Sequence, residues 1–238
     1  MDLIQLKIHQ QYYIGGKMRN LIIAAHPDDE VLGCGGVIKK FSDKEDFFVI
    51  ILTAGAEGRY EKSMEQTLIN NAKEANQILG TKELFFEDLP NQKLETIPII
   101  NVTQTIEKYI KELKPNRVFT HHIGDLNKDH QVVAEATFTA TRPIVGQVVK
   151  DVYSYNVPSS TEWNFIEGEK VFIPNLFIDI EDEIEAKVEA IKCYESECRD
   201  YPHPRSLKAI EAHSNYWGLS AGLEFAEPFK IIRKINSL

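Results

Sequence analysis

Asn20-Leu21-Ile22-Ile23-Ala24-Ala25-His26-Pro27-Asp28-Asp29-Glu30-Val31-Leu32-Gly33-Cys34-Gly35-Gly36 is the stretch on which the fold turns. Leu21–Ala25 is short, apolar and partly β-branched, as a buried strand is, and Val37–Phe41 beyond the glycines has helical character. The same order follows downstream. Phe47–Thr53 reads as a second strand and Met64–Leu79 as a helix, with Leu68, Ala72, Ala75 and Leu79 at helical spacing. Glu83–Glu87 is a third strand, and Ile97–Leu113 a helix with Ile99, Val102, Ile106 and Ile110 on one stripe. Arg117–Thr120 is a fourth strand, followed by the helix-like Asp129–Ala140. Strands alternating with such helices predict βαβ units and a mostly parallel sheet, an α/β fold. The last third differs: Val152–Tyr155, Leu176–Ile180 and Phe229–Ile235 read as strands, Asp182–Cys198 and Ser206–Ser220 as helices. Pro143–Lys150 is the one candidate linker, and it is not rich in Ser or Gly, so one domain is expected.

Gly33, Gly35 and Gly36 invite a phosphate-cradling turn between strand and helix. The G-x-G-x-x-G pattern fails, because Ile38 holds the third position counted from Gly33, and no P-loop Lys-Ser/Thr follows. Close packing of the helix on the sheet is the better reading.

The 238 residues carry 27 basic and 36 acidic side chains, net −9, with 43% hydrophobic and 26% charged residues, an ordinary globular composition. The acidic balance argues against a nucleic-acid partner, which needs a basic face. The longest apolar runs, Leu21–Ala25 and Phe47–Leu52, fall far short of the ~18–20 residues of a membrane span. No secretory signal is visible at the start, and Cys34, Cys193 and Cys198 form an odd, sparse set. Reduced thiols and a cytoplasmic location are the expectation.

In open sheets of this kind ligands sit beyond the carboxyl ends of the strands. His26-Pro27-Asp28-Asp29-Glu30 follows the first strand, and the stretch Thr120–His130 spans the end of the fourth and beyond. Four of the seven histidines fall at these two strand ends. Imidazoles and carboxylates so grouped make a ligand set for zinc or a similar divalent ion.

AHPDDE at Ala25–Glu30 and GDLNKDH at Gly124–His130 resemble the LmbE-like (PIG-L) family of metal-dependent N-deacetylases. Tyr194–Ser196 and YPHPRS at Tyr201–Ser206 are similar to that family's C-terminal part, and the resemblance runs from Asn20 onward, leaving residues 1–19 as an N-terminal extension to a single domain of residues 20–238. The resemblance implies a Rossmann-like sheet with helices on both faces and a C-terminal α+β extension. It implies that His26, Asp29 and His130 bind Zn2+ or another divalent metal such as Fe2+. Asp28 would be the general base toward water, helix capping being the alternative. His130 would stand at a helix N-terminus, where the dipole disfavours an imidazolium. Many members carry a histidine three residues before the second ligating one; here it is Asn127, which can donate to an oxyanion but cannot protonate an amine. Either Asp28 then also serves as acid, or His121 or His122 replaces the missing group. Asp129 would orient the acid or a ligand, or cap a helix.

Substrate contacts are assigned to Arg59, His122, Asp125, His203 and Arg205. Pro202 and Pro204 stiffen the loop bearing the last two, while Ser206 could simply cap the next helix. Trp163, Tyr216 and Trp217 read as packing residues, although an aromatic face could stack on a sugar. The implied reaction removes acetyl from an N-acetylated amino sugar, carried on a nucleotide, lipid or small aglycone. The alternatives are a non-catalytic metal-dependent sugar-binding protein, its acid lost at Asn127, and an amidase on a thiol-sugar conjugate. The implied partner is a small-molecule N-acetyl amino sugar, and a homo-oligomer is left open.

Overall fold

Successive residues of the first strand enter opposite cores: Leu21, Ile23 and Ala25 join one apolar cluster, Ile22 and Ala24 the other. The second strand does the same, with Phe48, Ile50 and Leu52 on one side and Phe47, Val49 and Ile51 on the other. Both faces of the sheet are therefore covered, which is why these strands read as unbroken apolar runs. The computed structural model describes residues 16–54, 64–165 and 168–236. Among them β1 (Arg19–Ala24), β2 (Asp46–Ile51), β3 (Glu83–Phe86), β4 (Arg117–His121), β5 (Asp151–Tyr155), β6 (Leu176–Asp179) and β7 (Ala226–Lys234) form one sheet in the order β3-β2-β1-β4-β5-β7-β6. The first five are parallel; β7 runs antiparallel to β5 and β6 antiparallel to β7.

The helices are α1 (Asp29–Phe41), α2 (Glu65–Leu79), α3 (Ile99–Leu113), α4 (Lys128–Ala140), α5 (Ile184–Lys192) and α6 (Leu207–Leu219). α1, α2 and α5 bury Val31, Ala72, Leu79 and Ile191 against one face of the sheet. α3 and α4 bury Val102, Ile106, Val133 and Ala136 against the other. The chain leaves β1 toward β3 on one side and resumes at β4 on the other. The crevice at the carboxyl ends of β1 and β4 is thus the topological switch point, where ligands of such sheets sit.

Three expectations are corrected. The helix read over Val37–Phe41 starts at Asp29 and takes in the glycines: a Cβ on Gly33 would fall 2.3 Å from the Tyr155 ring, and one on Gly36 2.6 Å from Ile180. Close packing is their role. α3 begins at Ile99 after Pro98 at its N-cap, which leaves Ile99 38% exposed and off the apolar stripe. The helix expected to reach Cys198 ends at Lys192, because Tyr194 and Glu197 turn inward and are buried.

One buried ion pair ties α1 to the C-terminal extension. Glu227 on β7 accepts from the backbone N–H of Gly36 and of Val37, each at 2.8 Å. Lys187 on α5 donates to Glu227 Oε1 at 2.6 Å and to Leu32 O at 2.9 Å, the carbonyl one helical turn before Gly36. Both side chains are almost fully buried. Removing one partner strands the other charge, so Glu227→Ala is expected to destabilise the fold by roughly 3–5 kcal/mol. Urea unfolding measures it; a loss below about 1 kcal/mol would show that the pair does not anchor α1.

Candidate metal centre

β1 delivers His26 at its end and α1 begins three residues later, so His26 and Asp29 face one another across a single turn. Asp29 Oδ2 accepts from the His26 backbone N–H at 2.8 Å, which locks that turn. α4, starting beyond β4, brings His130 in from the other side of the switch point. His26 Nδ1 then lies 3.2 Å from Asp29 Oδ2 and 3.2 Å from His130 Nε2, and His130 Nε2 lies 3.3 Å from Asp29 Oδ2. Four-coordinate zinc with bonds of about 2.1 Å would hold its ligand atoms about 3.4 Å apart. The three atoms sit at that spacing.

The outer nitrogens explain why the inner ones face each other as lone pairs. Asp129 Oδ2 lies 3.0 Å from His26 Nε2, and Asp125 Oδ1 lies 3.2 Å from His130 Nδ1. Each carboxylate draws its histidine's proton outward and leaves the inner nitrogen to ligate, the usual arrangement behind metal-bound histidines. Asp29 Oδ1 is buried without a hydrogen-bond partner. Three lone pairs converging beside an unpaired carboxylate oxygen fit a divalent cation. Burial opposes charge on His130, yet Asp29 and Asp125 push its pKa up to about 10, so these carboxylates favour positive charge at the centre of the cluster, held by the imidazole when no cation is there. Burial likewise opposes charge on His26, but Asp129 and Asp29 raise it above the usual histidine value. Burial works upward on Asp29, while His130 and His121 hold it well below the ordinary carboxylate range.

Asp28 faces elsewhere. It occupies the N-cap position of α1, but its side chain makes no capping hydrogen bond. Its Oδ2 instead accepts from Arg205 Nη1 at 2.7 Å. Burial pushes its carboxyl up to about 8, against the pull of Arg205. Arg205, assigned to substrate, also donates to Glu197 Oε2 at 3.1 Å and to Ser159 Oγ at 2.8 Å, so its geometry is that of a support for Asp28.

A cavity of about 380 Å³ opens beside these groups, lined by Gln92, Asn127, Trp163, Arg199, His203 and Arg205 among others. It is of small-molecule size. His203 lines it: its Nδ1 accepts from the Arg205 backbone N–H at 3.1 Å, and its ring meets Trp163 edge-on. Trp163 is 38% exposed and lines the cavity rather than a core, and Tyr216 is 60% exposed, so neither is a buried packing residue. A larger cavity, about 630 Å³, lies between α2 and α5 among Glu74, Glu189, Lys192 and Glu195, away from the histidines.

Asn127 caps α4, its side chain accepting from Asp129 N at 2.9 Å. The cap uses the carbonyl oxygen, so the amide nitrogen can still donate into the cavity. Asp129 does not cap; it holds His26 while accepting from the N–H of Gln92 at 2.7 Å and of Leu94 at 3.0 Å.

Two substrate assignments do not survive the geometry. Asp125 is fully buried and spends its oxygens on Asn127 N, Ser160 Oγ, Thr161 Oγ1 and the His130 side. His122 is buried with Nε2 2.8 Å from Lys170 O and its ring edge-on to Phe172, out of the cavity. His121 is no substitute acid either. It is fully buried behind His130, stacked at 3.9 Å, with Nε2 accepting from Ala25 N at 2.9 Å. Burial holds it well below the usual histidine value. Arg59 lies outside the described residues.

Gln92, Ser160, Thr161 and Glu197 were not singled out in the sequence. The strand-end rule points to the first three, which follow β3 and β5; nothing local marks Glu197.

The chain is thus an α/β domain with a two-histidine, one-carboxylate cluster at its switch point, a donor set that fits a divalent metal. The profile of the family described as GlcNAc-PI de-N-acetylase (PIG-L) matches residues 21–141, and the chain belongs to that family. It is 24% identical over 221 residues to diacetylchitobiose deacetylase of Thermococcus kodakarensis, covering 89% of this chain and 82% of the relative. The structure of N,N'-diacetylchitobiose deacetylase from Pyrococcus horikoshii superposes with a TM-score of 0.74 at 19% identity, covering 98% of this chain and 94% of the other. GalB, the 4-carboxy-2-hydroxymuconate hydratase of Pseudomonas putida KT2440, superposes with a TM-score of 0.69 at 20% identity, covering 93% and 99%. A deacetylase and a hydratase thus share this fold, and the reaction has to be argued from the site. Among the described residues no helix is long and apolar enough to cross a membrane.

Proposed function

We propose that this protein is a metal-dependent hydrolase that removes the acetyl group from an N-acetylated amino sugar, with residues 20–238 acting as one domain. The observation that carries the reading is the convergence of His26 Nδ1, Asp29 Oδ2 and His130 Nε2 near a cavity whose lining Arg205 holds a second carboxylate, Asp28, apart from the cluster. A pure binding site needs no such carboxylate. The sugar comes from the relatives' names, and the donor-lined cavity with an exposed tryptophan face suits a pyranose.

His26, Asp29 and His130 would hold the ion, Zn2+ or Fe2+. Such an ion supplies Lewis acidity, polarising the acetyl carbonyl and making water acidic near neutrality. Asp28 accepts the proton of the attacking water, and Arg205 keeps its carboxylate aimed. Asn127 donates its amide N–H to the carbonyl oxygen as negative charge develops there. With His121 and His122 buried away from the cavity, Asp28 returns the proton to the amine as the C–N bond breaks. Acetate scored across a panel of N-acetyl sugars tests the reading, with hydration of an unsaturated acid assayed alongside. Hydration without acetate would reject it.

Asn127→Ala is expected to lower kcat by roughly 10–10³-fold through the lost oxyanion donor, and to cost about 1 kcal/mol through the lost cap. Asn127→Asp separates the two effects, since a carboxylate caps but cannot donate. Its stability should return to wild type while kcat stays low; recovery of both would reduce Asn127 to a cap.

A further inference from the structure

We infer that Glu30 and Tyr194 are positioning residues that hold Asp28 in a strained backbone conformation from which it acts. The inference rests on Asp28 being the base, as proposed above. Asp28 has φ 109°, in the region that a non-glycine residue occupies only when its surroundings impose it. Its backbone N–H donates to Glu30 Oε2 at 3.1 Å. Glu30 is fully buried, and its other oxygen accepts from Asn76 Nδ2 at 2.9 Å and from the Tyr194 hydroxyl. Asn76 is itself fixed, donating to Ala72 O at 2.9 Å and accepting from Thr81 Oγ1 at 2.7 Å. The carboxylate therefore has no room to swing, and the Asp28 N–H is pinned to it.

The turn after α5 reaches Asp28 twice. Tyr194 acts on its backbone through Glu30. Glu197, three residues on, accepts from the same Arg205 nitrogen that donates to Asp28 Oδ2. One segment thus sets where the base stands and where its carboxylate points. A buried carboxylate is expensive unless fully partnered, and Asn76 and Tyr194 hold one oxygen of Glu30 while the other takes the Asp28 N–H. The rival explanation is a helix cap, in which Glu30 merely satisfies an orphan donor at the start of α1. A cap changes stability alone; a positioning group changes turnover.

The test uses the metal-loaded full chain carrying Glu30→Ala, Glu30→Gln or Tyr194→Phe. Metal content, kcat, KM and the Asp28 φ in crystals are measured. All three variants should bind metal at the wild-type level. Misplacing the base should lower kcat roughly 10²-fold in Glu30→Ala and about tenfold in Tyr194→Phe, with KM within about threefold of wild type. Glu30→Gln keeps a carbonyl acceptor for the Asp28 N–H and should retain most of kcat. Asp28 should leave the positive-φ region in Glu30→Ala. Wild-type kcat in both Glu30→Ala and Tyr194→Phe, or an Asp28 unmoved in Glu30→Ala, would overturn the inference. Should Glu30→Ala not fold, kcat and the Asp28 φ of Tyr194→Phe decide it. Should wild-type protein release no acetate from any sugar, the functional reading fails, while the crystal φ still decides whether Glu30 and Tyr194 hold Asp28.

Discussion

Asp28→Asn is expected to keep the wild-type metal content and to lose roughly 10²–10⁴-fold in acetate release, the usual worth of a positioned acid–base group. The geometry separates the two carboxylates of the motif: Asp29 sits 3.2–3.3 Å from the inner nitrogens of His26 and His130, while Asp28 Oδ2 meets Arg205. The asparagine amide preserves the size of the side chain but cannot take a proton from water. It also turns a donor or a neutral oxygen toward the Arg205 guanidinium, which adds displacement of the side chain to the loss. Asp28→Glu resolves that, because it restores charge with wrong reach. If Asp28→Asn turns over near the wild-type rate, Asp28 is not the base. If it loses its metal, Asp28 is a ligand and the division of labour between the two acids is wrong.

His26→Ala, Asp29→Ala and His130→Ala should each lose both bound metal and activity. Each removes one of three converging atoms, and the remaining two ligands cannot define a site. Asp29→Ala has a second consequence, since it also removes the acceptor of the His26 backbone N–H that locks the turn. Asp129→Asn is the graded control: it keeps the ligand but weakens its outer support, and should lower metal affinity about 10–100-fold. Metal content by elemental analysis, with acetate release on the same preparations, reads both effects. Normal stoichiometry in any of the three alanine variants removes that residue from the ligand set.

The βαβ order, both sheet faces and the place of the cluster were legible from local pattern. A strand buried on both faces must be apolar at every position, and the switch-point rule then names the loops to search. The His26, Asp29 and His130 cluster follows because its residues come from two compact motifs. What escaped was the purpose of groups whose partners are far away in the chain. Asp125 reads as a substrate contact, yet Ser160 and Thr161, 35 and 36 residues on, enclose it. His122 adjoins His121 in sequence, but alternation along β4 sends the two imidazoles to different surroundings. The segment Asp182–Cys198 reads as one helix, but the helix stops at Lys192 and Tyr194 and Glu197 beyond it are buried. Glu227 carries no local mark at all, since its task is set by Gly36, Val37 and Lys187.

Acetate released from N,N'-diacetylchitobiose by chelator-treated protein, before and after a stoichiometric amount of Zn2+ is restored, decides the matter. No acetate should form before, and turnover should appear after, with a free amine for every acetate. Undiminished release from the chelated protein would contradict metal dependence. No release from this or any other N-acetyl sugar after metal loading would contradict the deacetylase itself.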